Sequence, residues 1–314
     1  MSIILLASAC TITRNIQLAA INNNCNQQRA FSYTKQDLPQ PIHLIHLDTA
    51  LVNRFSFQSL HVANAIGILD LLTAFVQLND DYRVNPSLEK KIQLVALLQN
   101  IHQRIHVASL EISAVASEMD CEEERADQVA SYLKKQEDDT ESKLTVGAIV
   151  AGAAGAIAAG VLLANNNADS TPEIIGIGAG LVEATLGLLI LSYKPTIHFY
   201  HPRNALRDIW VAPETSSIFP RAVWYYLNYC KPHTNEKSLR QQLADKWLAF
   251  GQIADTKQKD RQKIYDLFFG EGGTYSADQL MNRANMYDQL EAHVNLMKQD
   301  LKLLSSEIEK ISSY

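Results

Sequence analysis

Catalytic signatures are missing from this sequence. It has no Gly-x-Ser-x-Gly, no His-Glu-x-x-His and no phosphate-cradling loop. Its four cysteines, at 10, 25, 121 and 230, are widely scattered. They read as no disulfide framework, and no pair has metal-ligand spacing. Proline (9) and glycine (13) are too few for wholesale disorder. Lys and Arg (28) fall short of Asp and Glu (34), and the net charge of −6 argues against general nucleic-acid binding. No alternating Val/Ile/Thr pattern requires a sheet, apart from a short strand candidate at Ile42–Leu47. These gaps leave an all-α chain of 314 residues, long enough for a large core.

What the sequence does have is concentrated at residues 144–193. Leu144 to Ala164 carries no charge, and a second apolar stretch runs from Ile174 to Tyr193, broken by Glu183. As helices each arm would span about 30 Å, the thickness of a bilayer's hydrocarbon core. The pattern predicts a hairpin, with Pro172 opening its second helix and Lys194-Pro195 closing it. Small residues recur every fourth position: Ala148, Gly152, Ala156 and Gly160, then Gly147, Ala151 and Gly155, and on the second arm Gly176, Gly180 and Ala184. Such strips let two helix backbones approach closely where lipid supplies no hydrophobic drive. Gly147, Gly152, Gly155, Gly160, Gly176 and Gly180 are therefore expected to pack the arms. Glu183 is expected to face the other arm or a water-filled lumen, or to take up a proton, because lipid exposure of a carboxylate costs several kcal/mol. A hairpin buried inside a soluble bundle is the competing reading.

Two heptad helices flank the hairpin. Asn85 and Pro86 predict the start of one that runs to about Glu137. Leu94, Leu98, Ile101, Ile105, Ala108, Ile112, Val115, Met119, Ala126, Val129 and Leu133 step by four and three, with Glu122 the one break. Leu97, Val107 and Leu110 lie off this seam and predict more than one neighbouring helix. The second heptad helix starts at Ser276, with Gln279 as capping-box partner, and carries Tyr287, Leu290, Val294, Met297, Leu301, Leu304, Ile308 and Ile311. Residues 52–79 predict a buried core helix. All three tryptophans fall in 196–270, cut by prolines into short helices around Ala205–Val211, Ala222–Tyr229 and Ser238–Phe250, with Gly270–Gly273 a turn.

The organisation expected is a signal at 1–10, a tether at 11–50, a bundle with its long helix at 51–143, the hairpin at 144–193, an aromatic helical subdomain at 194–273 and a C-terminal helix at 274–314. The pairs His102/His106, His43/His46 and His198/His201 lack a third ligand and read as solvated histidines, so no metal or other cofactor is expected. Cys121, beside Glu122, Glu123 and Glu124, is a poor nucleophile candidate, and that acidic run reads as a solvated face.

Two resemblances add to this reading. Ala7-Ser-Ala-Cys10, after the apolar run from Ile3, resembles the lipobox of bacterial lipoproteins, which implies export and a lipid on Cys10. No Lys or Arg precedes the short run, so a plain apolar N-terminus stays open. Residues 86–193 and 276–313, with long helices on either side of an apolar head, are similar in layout to the helical pore-forming toxins of bacteria. The aromatic segment departs from that layout and reads as an interfacial belt or a partner-binding module. The expectation is a non-enzymatic, envelope-located protein whose partners are a lipid bilayer and its own or other heptad helices. The alternative is a lipid-tethered or soluble scaffold with the hairpin in its core. Lys143 and Lys194 at the open end of the hairpin, and Asp169 and Glu173 in its loop, put both ends in the cytoplasm by the positive-inside rule. A lipoprotein signal puts residues 11–143 outside. The two agree only if the hairpin inserts late, from outside.

Overall fold

A computed structural model describes residues 25–26, 29–164, 171–232, 234, 236–253 and 258–312. Cys10 and the hairpin loop at 165–170 lie outside the described residues. The fold is mostly helical. Its axis is α4 (Leu88–Ala164), which joins the expected bundle helix and the first hairpin arm into one unbroken helix of 77 residues. At ~1.5 Å per residue it is roughly 115 Å long. It starts later than expected: Ser87, not Asn85, caps it, with Ser87 Oγ accepting from Lys90 N at 3.2 Å.

Before α4 come α1 (Thr49–Val52), α2 (Phe57–Ala65) and α3 (Leu69–Val84). The single helix expected over 52–79 is two. Gly67 takes φ +71 and opens the corner. The Ile68 amide then donates to Ala63 O at 2.9 Å and the Gly67 amide to Asn64 O at 3.1 Å, the Schellman pattern that ends a helix. The strand expected at Ile42–Leu47 is a single 3-10 turn, Ile42–Leu44, with Ile42 buried. The segment expected as a tether is packed from residue 31 onward: the Phe31 amide donates to Ser217 O at 2.9 Å and Tyr33 Oη to Phe219 O at 3.0 Å.

After α4 the chain returns through α5 (Thr171–Ser192) into β1 (Thr196–Tyr200), then α6 (Ala205–Val211), α7 (Arg221–Asn228), α8 (Leu239–Ala249) and α9 (Gln258–Phe269). Next are β2 (Gly272–Ser276) and the long α10 (Ala277–Ser312). The two strands, absent from the sequence reading, pair antiparallel with Thr196 opposite Ser276 and Tyr200 opposite Gly272. Gly272 cannot be replaced cheaply: its φ is +122, and a Cβ there would run into the Phe199 carbonyl. The capping box of α10 forms as expected, with Ser276 N donating to Gln279 Oε1 at 2.9 Å and Gln279 N to Ser276 Oγ at 3.3 Å.

The core lies where α10 packs against α4. The α4 seam is buried from Ile101 to Leu133, and so are Leu280, Tyr287, Leu290, Val294, Met297, Leu301, Leu304 and Ile308 of α10. Each such side chain stabilises the fold by roughly 1.5–3 kcal/mol relative to exposure. The helices run antiparallel. Tyr287 near the start of α10 feels Glu122 and Glu118, while the Ile311 carbonyl at its end accepts from Arg83 Nη2 at 3.0 Å, beside the start of α4. A second helix, α3, also packs against α4, and Leu97 is half-buried, but Val107 and Leu110 are exposed. Trp224 and Trp247 are buried core residues and Trp210 is half-buried, which rules out an interfacial belt of tryptophans.

One cysteine expectation is overturned. Cys25 and Cys121 form a disulfide across 96 residues of sequence, stapling the N-terminal segment to the middle of α4, and Cys230 is an exposed free thiol. Paired spacing could not signal a bridge between residues so far apart.

Candidate membrane-insertion hairpin

The α4–α5 hairpin is two long helices held together by a narrow face. On α4 the half-buried positions are Leu144, Ala148, Ala151, Gly152, Gly155 and Ala159; on α5 they are Ala179, Leu186, Gly187 and Ile190. These steps of three and four make one contact stripe per arm. Gly155 sits against the Ala179 methyl so closely that an added Cβ would overlap it. At Gly152 an added Cβ would overlap Glu183 Oε1 and lie 2.9 Å from its Cδ. Gly147 is looser, with Leu186 Cδ1 3.9 Å from where a Cβ would be. Two of the six expected packing glycines therefore require close approach. Gly160 and Gly180 have nothing within 4 Å and do not pack the arms; Gly176 lies in α5.

The large aliphatic side chains described on the rest of the hairpin point outward. Val146, Ile149, Val150, Ile157 and Val161 on α4, and Leu181, Val182, Leu188, Leu189 and Leu191 on α5, are each at least 46 % exposed. Among the described residues one helix is long and apolar enough to cross a membrane, and only 6 % of its apolar window is buried. The hairpin is thus not in the core of the bundle. Soluble monomers rarely leave an apolar surface of this extent uncovered.

Glu183 lies across the backbone of Gly152 and is exposed on its other side. Among the described residues it has no hydrogen-bond or ion-pair partner. No Lys or Arg occurs anywhere in residues 144–193. A charged collar closes the base, where Lys134 pairs with Glu137 at 3.1 Å and exposed Lys143, Tyr193 and Lys194 follow.

Below the collar a buried polar clamp ties the returning chain to the bundle. Glu122, expected to be solvated, is 2 % exposed. Its Oε2 accepts from Arg125 Nη2 at 2.6 Å, Arg125 Nη1 donates to the Tyr200 carbonyl at 3.1 Å, and the guanidinium stacks 4.1 Å over Phe199. One turn earlier Glu118 holds Arg203, again linking α4 to the segment after β1. Burial pushes the Glu118 carboxyl up, and the Arg203 hydrogen bond opposes that. On the other side Arg283 donates to the Phe268 carbonyl at 3.0 Å and Asn204 Nδ2 to the same oxygen at 2.8 Å.

His201 completes the clamp. Tyr275 Oη donates to the Leu267 carbonyl at 2.5 Å, so its contact with His201 Nε2 at 2.8 Å is one in which the imidazole donates. Burial, then the Arg283 charge, depress His201 to about 2, which keeps it neutral. His198 is exposed on β1, while His201, just past the end of that strand, is buried, so these two histidines do not converge. His102, His106, His43 and His46 are exposed, and among the described residues no three His, Cys, Asp or Glu side chains gather as a metal site.

Compared with protein-family models, with curated proteins and with solved structures, the chain finds no match.

Proposed function

We propose that this is a non-enzymatic helical protein that enters a lipid bilayer through the 144–193 hairpin, with the bundle and aromatic subdomain left on one side. The observation that carries this reading is the exposed apolar surface on both arms, left uncovered among the described residues. Ten large aliphatic residues moved into lipid contribute roughly 3–6 kcal/mol on the insertion scale. A carboxylate at mid-membrane costs about 3 kcal/mol. The balance is about 0–3 kcal/mol toward insertion, so Glu183 offsets half or more of the aliphatic gain.

The Cys25–Cys121 bridge supports placing the body on an oxidising side of the membrane, where disulfides persist. That agrees with export through a lipobox ending at Cys10 and with late insertion from outside. A lipid on Cys10 would hold the protein at the surface before the hairpin enters.

Carbonate-washed membranes from cells expressing the full chain test this. Wild type and Cys10→Ala are both expected to stay in the pellet. A Cys10→Ala variant in which a short Gly-Ser turn also joins Lys143 to Lys194 is expected to leave it while keeping its helical circular dichroism. Loss of Cys10→Ala alone would assign retention to the lipid. A soluble wild type would end the membrane reading.

A further inference from the structure

We infer that the inserted hairpin, assembled in several copies, conducts cations along a path lined by Glu183; this rests on the membrane reading above. Glu183 is the one charged residue on the inner stretch of either arm, near the middle of α5, opposite Gly152 near the middle of the first arm. Both therefore sit at mid-depth of a spanning hairpin. The carboxylate is seated in a notch that exists because residue 152 has no side chain. The notch supplies backbone and space, with no donor and no counter-charge. No basic side chain exists on the hairpin to neutralise the carboxylate, and none from the body approaches it among the described residues.

A carboxylate so placed, with no counter-charge, costs least in a bilayer where water or a cation reaches it. Two helices enclose no lumen, so the water must lie between hairpins. The outer faces allow close neighbours, because Gly160, Gly178 and Gly180 are exposed and have nothing within 4 Å of a Cβ position. A ring of carboxylates around such a lumen admits cations and repels anions. The only other charges of the hairpin, Asp169 and Glu173 by its loop, carry the same sign. Gly152 and Glu183 thus act together: the glycine gives room, and the carboxylate sets the sign of the ion.

The full chain is added to phosphatidylcholine–phosphatidylglycerol vesicles for flotation, and to planar bilayers of the same lipids under a KCl gradient. Wild type is expected to float with the vesicles and to give a reversal potential shifted toward that of potassium. Glu183→Asp should keep the shift, Glu183→Gln should lose it while still floating, and Glu183→Lys should reverse its sign. Gly152→Ala, which displaces the carboxylate, should weaken selectivity and leave flotation unchanged. Flotation with silent bilayers, or a shift indifferent to Glu183→Gln, overturns the conduction reading alone. Failure of wild type to float overturns the membrane reading and this one with it.

Discussion

Below Leu133 and above Lys143, α4 is the same unbroken helix with opposite surfaces. In the lower part large aliphatic residues face inward to α10 and charged residues face out, the arrangement water demands. In the upper part glycine and alanine face inward to α5, and Val and Ile face out. Water does not stabilise that second arrangement; a hydrocarbon surrounding does. The comparison teaches that the direction of the large side chains, not helicity or total hydropathy, tells the two environments apart.

The sharpest energetic contrast is in how each part holds its carboxylate. Glu122 is buried with its own Arg125 three residues on, while Glu183 has a glycine notch and no cation. Removing one partner of a buried pair costs about 3–5 kcal/mol, because the other charge is left uncompensated. Arg125→Met is expected to lower unfolding free energy by about that much in urea titrations. Glu122→Leu combined with Arg125→Met should recover most of the loss. An Arg125→Met protein as stable as wild type would mean that the clamp is ornamental. Membrane retention, which belongs to the upper part, should be unchanged in both.

A smaller effect comes from pH, and again from the body. His61 sits among Phe57, Tyr225, Tyr226 and Tyr229, whose ring centroids lie 4.4–6.0 Å from its own, and Nε2 has no partner. Burial depresses it from 6.5 to about 4. The unfolded chain takes up this proton first as pH falls, so the contribution is fully present above 6.5 and is lost between 6.5 and about 4. Between pH 7 and 4.5 the wild type should lose about 2–3 kcal/mol more than His61→Phe in paired urea titrations. Equal losses would show that His61 charges freely in the folded state.

The parts legible in the sequence were those governed by local periodicity. The α4 and α10 seams, the capping box at Ser276 and the short helices after β1 depend on neighbours three or four residues away. What escaped notice depends on distant partners. Glu122 reads as a surface charge until Tyr200, 75 residues beyond Arg125, brings its carbonyl to that guanidinium. The strands are five residues each, and Gly272-Gly-Thr-Tyr-Ser276 resembles a turn until the Phe199 backbone lies against it. Cys25 and Cys121 meet only once the N-terminal segment is laid on α4. Within the hairpin, spacing marked every small residue alike, yet among the described glycines only Gly152 and Gly155 face a contact closer than a Cβ allows.

That last distinction gives the smallest test and the most local one. Gly160 and Gly180 face open space, so alanine there removes backbone freedom without meeting anything. Each change should raise the stability of its helix by up to ~1 kcal/mol. In detergent micelles this would appear as slower trypsin cleavage after Lys143. At Gly155 the same methyl group must push Ala179 away, and at Gly152 it must displace Glu183, so both should open the arms and speed cleavage. Opposite signs from one added methyl would separate the glycines that join the arms from those that leave the outer face free. If all four changes slow cleavage, the arms do not meet at Gly152 and Gly155, and the narrow face drawn for the hairpin is wrong.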